Sequence, residues 1–164
     1  MIDVIVEDPR WEPHTLAGAI ETAVLAALAA KGREGAVTVL LADDRDQRRL
    51  NKLHRGIDKP TDVLSFPAHP DARAMAERIG DPVPLGDISL AYETVLRDAE
   101  GEGVSLRDHV LHLVVHGTLH LAGETHDGTE DAAHMETAET RILAGLGVAD
   151  PYGNAPPHDG DVPA

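Results

Sequence analysis

The segment His116-Gly-Thr-Leu-His-Leu-Ala-Gly-Glu-Thr-His126 contains three histidines at a spacing that suits one metal ion. His116 and His120 are four residues apart, and on a helix this spacing places both side chains on one face. Gly123 can end that helix in a left-handed turn, because glycine adopts this conformation at little cost. The turn can bring His126 back to the same ion. The segment therefore predicts three imidazole ligands and a fourth position for water, which is typical of catalytic zinc.

The residues before this segment predict a buried helix that carries its first two histidines. Ser105 is the predicted N-cap, with Asp108 as its capping partner. The helix is too rich in apolar residues for a surface helix. These residues are Val110, Leu111, Leu113, Val114, Val115, Leu119 and Leu121. We interpret His109 and His112 as core residues of this helix, and His112 also as a candidate partner for a metal-binding histidine.

The spacing of the three histidines also matches that of metzincin metalloproteases. In those enzymes a glutamate follows the first histidine and acts as the general base, whereas Gly117 stands at this position here. Glu124 lies inside the segment, but its spacing gives no reason to expect that it replaces the missing base. A metalloprotease therefore remains an alternative, but the glutamate that would act as its general base is missing from the expected position.

The chain of 164 residues is acidic, with a formal net charge of −15. Because proteins bind phosphate through lysine and arginine, this balance argues against general nucleic-acid binding. The positive charges are clustered, however, at Arg45, Arg48, Arg49, Lys52, Arg55 and Lys59. An acidic protein can carry one basic face that binds RNA, although such a cluster is more often an ordinary solvated helix face.

The composition also bears on redox chemistry and on location. The chain has no cysteine, which excludes disulfides and thiolate metal sites. Residues 1–7 lack the basic start and long apolar run of a signal peptide. The Ala/Leu-rich stretch 16–30 is too short to span a membrane and contains Glu21. We therefore expect a cytoplasmic protein that has no membrane partner.

The apolar pattern predicts a mixed α/β (α+β) domain over residues 1–152, followed by a disordered tail over 153–164. The predicted strands are 2–6, 37–42, 62–66 and 86–92. The predicted helices include 44–55, 93–101 and the histidine helix, with further helices before Gly32 and after Asp127. Residues 67–84 contain four prolines and are predicted to form a long loop or lid, with a short helix at 71–79 as an option.

The histidine segment resembles the signature of the bacterial YbeY family, the metal-dependent endoribonucleases of ribosomal RNA maturation. Other segments resemble the family in the same order along the chain. They are Thr61-Asp-Val-Leu-Ser-Phe-Pro67, Leu85-Gly-Asp-Ile88, Met135-Glu-Thr-Ala-Glu139 and Leu146-Gly-Val-Ala-Asp-Pro-Tyr152. The resemblance covers about residues 1–152. It departs from the family at Glu124-Thr125, where a pair such as Tyr-Asp usually precedes the last histidine.

This resemblance implies a small, mostly four-stranded mixed sheet packed with about five to six helices, together with the metzincin-like histidine motif. It implies a metal-dependent endoribonuclease specific for single strands, which acts in 16S rRNA 3′-end maturation and ribosome quality control; zinc is the metal that the type of ligand favours. The implied partners are single-stranded rRNA, the small ribosomal subunit and a ribosome-associated GTPase. A non-enzymatic ribosome assembly factor with a structural metal is a further alternative.

The resemblance also implies roles for individual residues. His116, His120 and His126 would hold one zinc ion, although nickel and copper also bind three imidazoles. His116 and Arg55 would take part in catalysis, because the fixed charge and planar donors of an arginine suit a phosphate oxygen. Arg55 would also bind the substrate, and the basic run around it, rather than the resemblance, makes Arg48, Arg49 and Lys52 further candidates for substrate binding. The residues leave the general base unassigned, and attack by a ribose 2′-hydroxyl fits them as well as attack by water.

Overall fold

The structure, a computed structural model, describes residues 1–123 and 129–152. These residues form a four-stranded sheet, six α-helices and one 3₁₀ helix. In chain order the elements are β1 (Ile2–Val6), the 3₁₀ helix (Pro9–His14), α1 (Ala17–Ala30), β2 (Ala36–Ala42), α2 (Asp44–Arg55), β3 (Val63–Pro67), α3 (Pro70–Ile79), β4 (Pro84–Ala91), α4 (Tyr92–Glu102), α5 (Leu106–Leu121) and α6 (Thr129–Gly145). The predicted mixed fold is confirmed. The predictions for His126 and for the tail over 153–164 concern residues outside the described ranges.

The sheet has the strand order β1-β2-β4-β3. The first three of these strands are parallel to one another, and β3 runs antiparallel to β4. On the two central strands, β2 and β4, the side chains of Val39, Ile88 and Leu90 share one face of the sheet and are fully buried there, whereas Asp87 on the opposite face is exposed. The sheet is therefore mixed, with an antiparallel edge strand that lies next to the histidine helix.

Helices α2 and α4 begin directly after the carboxyl ends of β2 and β4, and their first turns are joined. Asp44 Oδ1 accepts hydrogen bonds from Thr94 N at 3.0 Å and from Thr94 Oγ1 at 2.8 Å. In return, Asp44 N donates to Glu93 Oε1 at 3.0 Å. On α2, Asp43 accepts from Asp46 N, and Gly56 ends the helix with a positive φ of 73°. Both ends of α2 therefore lie where the sequence predicts them.

Helix α5 is the central helix of the fold and packs against α1, α4, α6 and strand β3. Ser105 caps it by accepting a hydrogen bond from Asp108 N at 3.0 Å, as predicted. The predicted apolar residues of the helix are all buried. Its position between the sheet and three other helices makes it the most constrained element near the histidines.

The proline-rich segment over 67–84 is mostly helical rather than a long loop. Helix α3 occupies Pro70–Ile79, so the optional helix is correct and the prediction of a long loop is wrong for most of the segment. His69 Nδ1 accepts a hydrogen bond from Asp71 N at 3.1 Å and caps the helix. Pro70 stands in the first turn, where the lack of an N–H costs nothing.

None of the helices in the described residues is long and apolar enough to cross a membrane.

Candidate metal centre

His116 and His120 are half-buried and face each other on one side of α5. Their Nε2 atoms are 3.1 Å apart, and their ring centroids are 4.6 Å apart. Two nitrogens bound to one tetrahedral zinc ion at about 2.0–2.1 Å would be separated by about 3.3 Å. The observed distance is therefore close to the one that a shared ion requires. His126, the third predicted ligand, lies outside the described residues.

A buried carboxylate, Glu139 of α6, lies behind the two histidines. His116 Nδ1 donates to Glu139 Oε2 at 2.8 Å, and His112 Nε2 donates to Oε1 at 2.8 Å. The hydroxyl of Tyr152 donates to the same Oε1 at 2.6 Å. Since Nδ1 of His116 carries the hydrogen, its Nε2 presents a lone pair on the side of His120. A carboxylate in this position is typical of metal-binding histidines, because it sets both the ring orientation and the tautomer.

The hydrogen bonds also determine the charge of Glu139. Burial by itself would raise the pKa of this carboxyl, but the donors from His112, His116 and Tyr152 outweigh that effect and hold the pKa at about 2. Burial and the neighbouring Glu139 raise the pKa of the Tyr152 hydroxyl. Glu139 is therefore a carboxylate and Tyr152 a neutral donor at neutral pH. This charge state supports proton donation from His116 to Glu139.

Sequence reasoning did not assign Glu139 to the site. The sequence predicted His112 to be a core residue and a candidate partner for a metal-binding histidine, whereas His112 is half-buried and shares the acceptor Glu139 with His116. One sequence signal was available: Glu139 lies in the apolar stripe of α6 that contains Met135 and Leu143. Met135 and Leu143 are fully buried, as predicted for Met135. A glutamate at a core position needs buried hydrogen-bond donors, and histidines supply them here.

Gly117 shows why the metalloprotease alternative does not fit this helix. A Cβ atom at this position would lie 2.9 Å from Ser65 Oγ and 3.2 Å from Ile88 Cδ1. Position 117 therefore faces the sheet, away from the histidine pair. A glutamate there would have to displace β3 and β4 before it could contact the site. The close approach of α5 to β3 instead depends on the glycine.

We expect Gly117→Val to destabilise the domain by about 1–3 kcal/mol, because added side-chain atoms overpack the interface with Ser65 and Ile88. The measurement is the free energy of unfolding in urea. Gly101→Val is the matched control, since Gly101 also lies in a helix but a Cβ atom added there would meet nothing within 4 Å. Equal unfolding free energies for the two variants would contradict this account of Gly117.

The predicted substrate-binding residues lie along α2, and the structure separates them into two groups. Arg48 is paired with Asp58, with Nε 2.7 Å from Oδ1, and Arg49 Nη2 lies 3.8 Å from Asp46 Oδ1. Lys52 and Arg55 are exposed and form no ion pair with the described residues. Arg45, Arg48, Arg49 and Lys52 line one open depression of about 530 Å³ together with Asp43, Asp46 and Asp58. Among the four predicted substrate-binding residues, Lys52 and Arg55 near the end of α2 are therefore the ones whose charge is available for a phosphate.

A second group of possible metal ligands lies at the other end of α5. One carboxylate oxygen each from Asp62 and Asp98 and one ring nitrogen of His109 all lie within 4.8 Å of one another. His109 is 5% exposed, so its predicted burial is confirmed. Burial lowers the pKa of His109, partly opposed by Glu102, and this favours the neutral imidazole that a metal ion binds. The residues of this group come from three separate elements, and sequence spacing gave no signal of it.

The comparisons with known proteins agree with this architecture. The sequence model of the family described as Endoribonuclease YbeY matches residues 7–147. The Endoribonuclease YbeY of Rhodospirillum rubrum is 47% identical over 156 residues, which cover 88% of this chain and 78% of the relative. That of Chelativorans sp. is 46% identical over 154 residues and covers 92% of both chains. Both relatives are named as endoribonucleases, which supports a nuclease role here.

One solved structure extends the comparison to the fold. The solution structure of TM1509 from Thermotoga maritima is similar to this chain, with a TM-score of 0.62 and 23% sequence identity over 89% of each chain. At this identity the likeness concerns the fold alone. The family match over residues 7–147 and the identity of nearly half to two relatives, over 78% and 92% of their length, show which family the chain belongs to. The chain belongs to the YbeY family of endoribonucleases.

Proposed function

We propose that this protein is a metal-dependent endoribonuclease specific for single strands, which acts in 16S rRNA 3′-end maturation and ribosome quality control. The observation that carries the proposal is the pair of histidines on α5, whose Nε2 atoms are 3.1 Å apart, with His116 held by the buried Glu139. The family match supports RNA as the substrate class. The proposal includes cytoplasmic contacts with the small ribosomal subunit and a ribosome-associated GTPase, which the family resemblance supports.

His116, His120 and His126 would hold the metal ion. A donor set made of imidazoles suits zinc, and also nickel and copper, better than magnesium or calcium. A zinc ion bound there would supply Lewis-acid chemistry to water or to a phosphoryl oxygen. Glu139 would keep His116 in the tautomer that binds the ion. It would continue to accept hydrogen bonds from His112 and Tyr152 while the ion is bound.

The end of α2 supplies the positive charge that a phosphate backbone needs. Arg55 and Lys52 are exposed and lie in the last turn of the helix. Arg55 would steady a phosphate oxygen and the negative charge that develops on it during cleavage. Lys52 would add a phosphate contact that carries no sequence information. Arg48 would contribute less, because Asp58 already occupies its guanidinium.

An aromatic surface next to these cations supports specificity for single strands. The Phe66 ring at the end of β3 lies 4.8 Å from the His54 ring of α2, measured between centroids. The other aromatic side chains are engaged: Trp11 is buried, Tyr92 packs on it at 5.0 Å, and Tyr152 is bonded to Glu139. Phe66 and His54 would stack on an unpaired base, whose face is exposed only outside a duplex.

The test is cleavage of a single-stranded RNA by the purified protein. We expect Arg55→Ala to lower kcat/KM by roughly a hundredfold, the cost of removing one donor to a developing oxyanion. We expect Lys52→Ala to weaken RNA binding. The slope of the logarithm of RNA affinity against the logarithm of salt concentration should fall by about one. The control is Arg107→Ala, because Arg107 is exposed at the start of α5, where it pairs with Asp108.

Two results would contradict the proposal. Equal cleavage by the wild type, Arg55→Ala and His116→Ala would identify a contaminating nuclease. Binding to ribosomal subunits without cleavage of any single-stranded RNA would favour the non-enzymatic assembly factor. A peptide-library assay with added zinc distinguishes a metalloprotease, which would cleave peptides, from an endoribonuclease, which would not. The geometry at Gly117 leaves a metalloprotease without its general base.

A further inference from the structure

We propose that Asp62, Asp98 and His109 form a second cation site, separate from the histidine pair, which binds a divalent transition metal such as Mn²⁺. One donor atom from each residue lies within 4.8 Å of the other two. Metal–ligand bonds of about 2.0–2.6 Å separate the ligands of one ion by about 3–5 Å. The three donor atoms therefore surround a volume that fits a single divalent ion.

The two aspartates carry negative charge that the described residues do not neutralise. Neither Asp62 nor Asp98 forms an ion pair with a lysine or an arginine whose side chain the structure describes, whereas Asp58 and Asp8 are each paired with an arginine. Two carboxylates that lie close together create a local negative potential, which attracts cations. The electrostatics of this cluster therefore favour a bound cation.

His109 provides the second, independent observation. The residue is 5% exposed, and its Nε2 atom is buried without a hydrogen-bond partner among the described residues. Its Nδ1 lies 4.0 Å from Glu102 Oε2, so one side of the ring already has an acidic neighbour. A buried ring nitrogen without a partner costs free energy, and coordination of a metal would satisfy it. The nitrogen left for the ion is therefore Nε2.

The contacts around Asp62, Asp98 and His109 are those expected of a cation site. Val63 N donates to Asp62 Oδ1 at 2.7 Å and fixes that carboxylate, so that its second oxygen can turn to an ion. Asp62 and Asp98 are half-buried rather than enclosed, so their carboxylates remain accessible to an ion from solvent. Two carboxylates with one imidazole suit manganese or iron better than three imidazoles do. The ion class therefore differs from that of the histidine pair.

The site would join three elements that position the histidine pair. Asp62 precedes β3, Asp98 lies on α4, and His109 lies two turns before His116 on α5. A bound ion would brace α5 against α4 and against the strand that packs on Gly117. Both the site and its test concern cation binding alone, so neither depends on RNA cleavage.

The experiment measures Mn²⁺ binding to the full chain by electron paramagnetic resonance and by the shift in thermal midpoint. His120→Ala serves as the background, since it removes the histidine pair. We expect this variant to bind about one Mn²⁺ per chain, with a signal that shows coupling to an imidazole nitrogen. Adding Asp98→Asn should weaken binding at least about tenfold, and adding His109→Gln should remove the nitrogen coupling.

Asp3→Asn in the same background is the matched control, because Asp3 is exposed on β1, far from the cluster in the sheet order. It should leave the Mn²⁺ affinity unchanged. Circular dichroism checks that each variant is folded. No Mn²⁺ bound by His120→Ala, or equal binding by a folded Asp98→Asn variant, would overturn the proposal. Loss of stability in Asp98→Asn without any effect of Mn²⁺ would also overturn it, because that result assigns the cluster to an ion pair with His109.

Discussion

Replacing His120 by alanine is expected to remove about one zinc ion per chain and to reduce RNA cleavage by roughly a thousandfold. The Nε2 atom of His120 is one of two nitrogens 3.1 Å apart, and a shared ion loses a direct ligand without it. Lewis-acid stabilisation is worth several kcal/mol, and about 4 kcal/mol corresponds to a thousandfold change in rate. The measurement is metal content by mass spectrometry, on protein purified without a histidine tag, alongside the cleavage assay.

His14→Ala is the control for this prediction, because His14 is exposed and contacts Tyr92 outside the centre. It should keep both the zinc and the activity. Circular dichroism would show whether His120→Ala is still folded, which separates a catalytic metal from one that is needed for folding. Unchanged zinc content in a folded His120→Ala variant would show that His120 is not a ligand of the zinc ion, which contradicts the proposed centre.

Glu139→Gln is expected to weaken zinc binding by roughly 10–100-fold while leaving the protein folded. The glutamine has nearly the same size, but its amide offers one acceptor oxygen where the carboxylate accepts from His112, His116 and Tyr152. The amide hydrogens would face ring nitrogens that now donate, so His116 would change its tautomer or rotate. Nitrogen-15 NMR of the histidine rings, recorded without metal, reports that tautomer directly.

The matched control is Glu136→Gln on the same helix, because Glu136 is exposed. It should change neither the zinc affinity nor the NMR shifts of His116. A merely structural role for Glu139 would lower the unfolding free energy and leave the tautomer of His116 as it is. If Glu139→Gln retains both the zinc affinity and the Nδ1–H tautomer, the assignment of Glu139 as the positioning residue is wrong.

Local elements of the fold could be predicted because their signals lie within a few residues. The N-caps Asp43 and Ser105 bond to amides three residues later, and Gly56 ends α2 with a positive φ. Helix α3 was underestimated because prolines were counted as loop residues, whereas Pro70 stands in the first turn, where proline is favourable.

The sequence by itself determined the helical spacing of His116 and His120, the basic character of α2 and the family of the chain. The first two properties depend on residue type and on neighbours within a turn or two, and the family resemblance depends on the order of short segments along the chain. Only the tertiary structure decided that Glu139 lies behind His116, that position 117 faces β3, and that Asp62, Asp98 and His109 meet. The members of each set come from different elements, so their contact depends on how α5 packs against its neighbours. That packing depends on the shapes of many buried side chains together, so it cannot be predicted from a local sequence pattern.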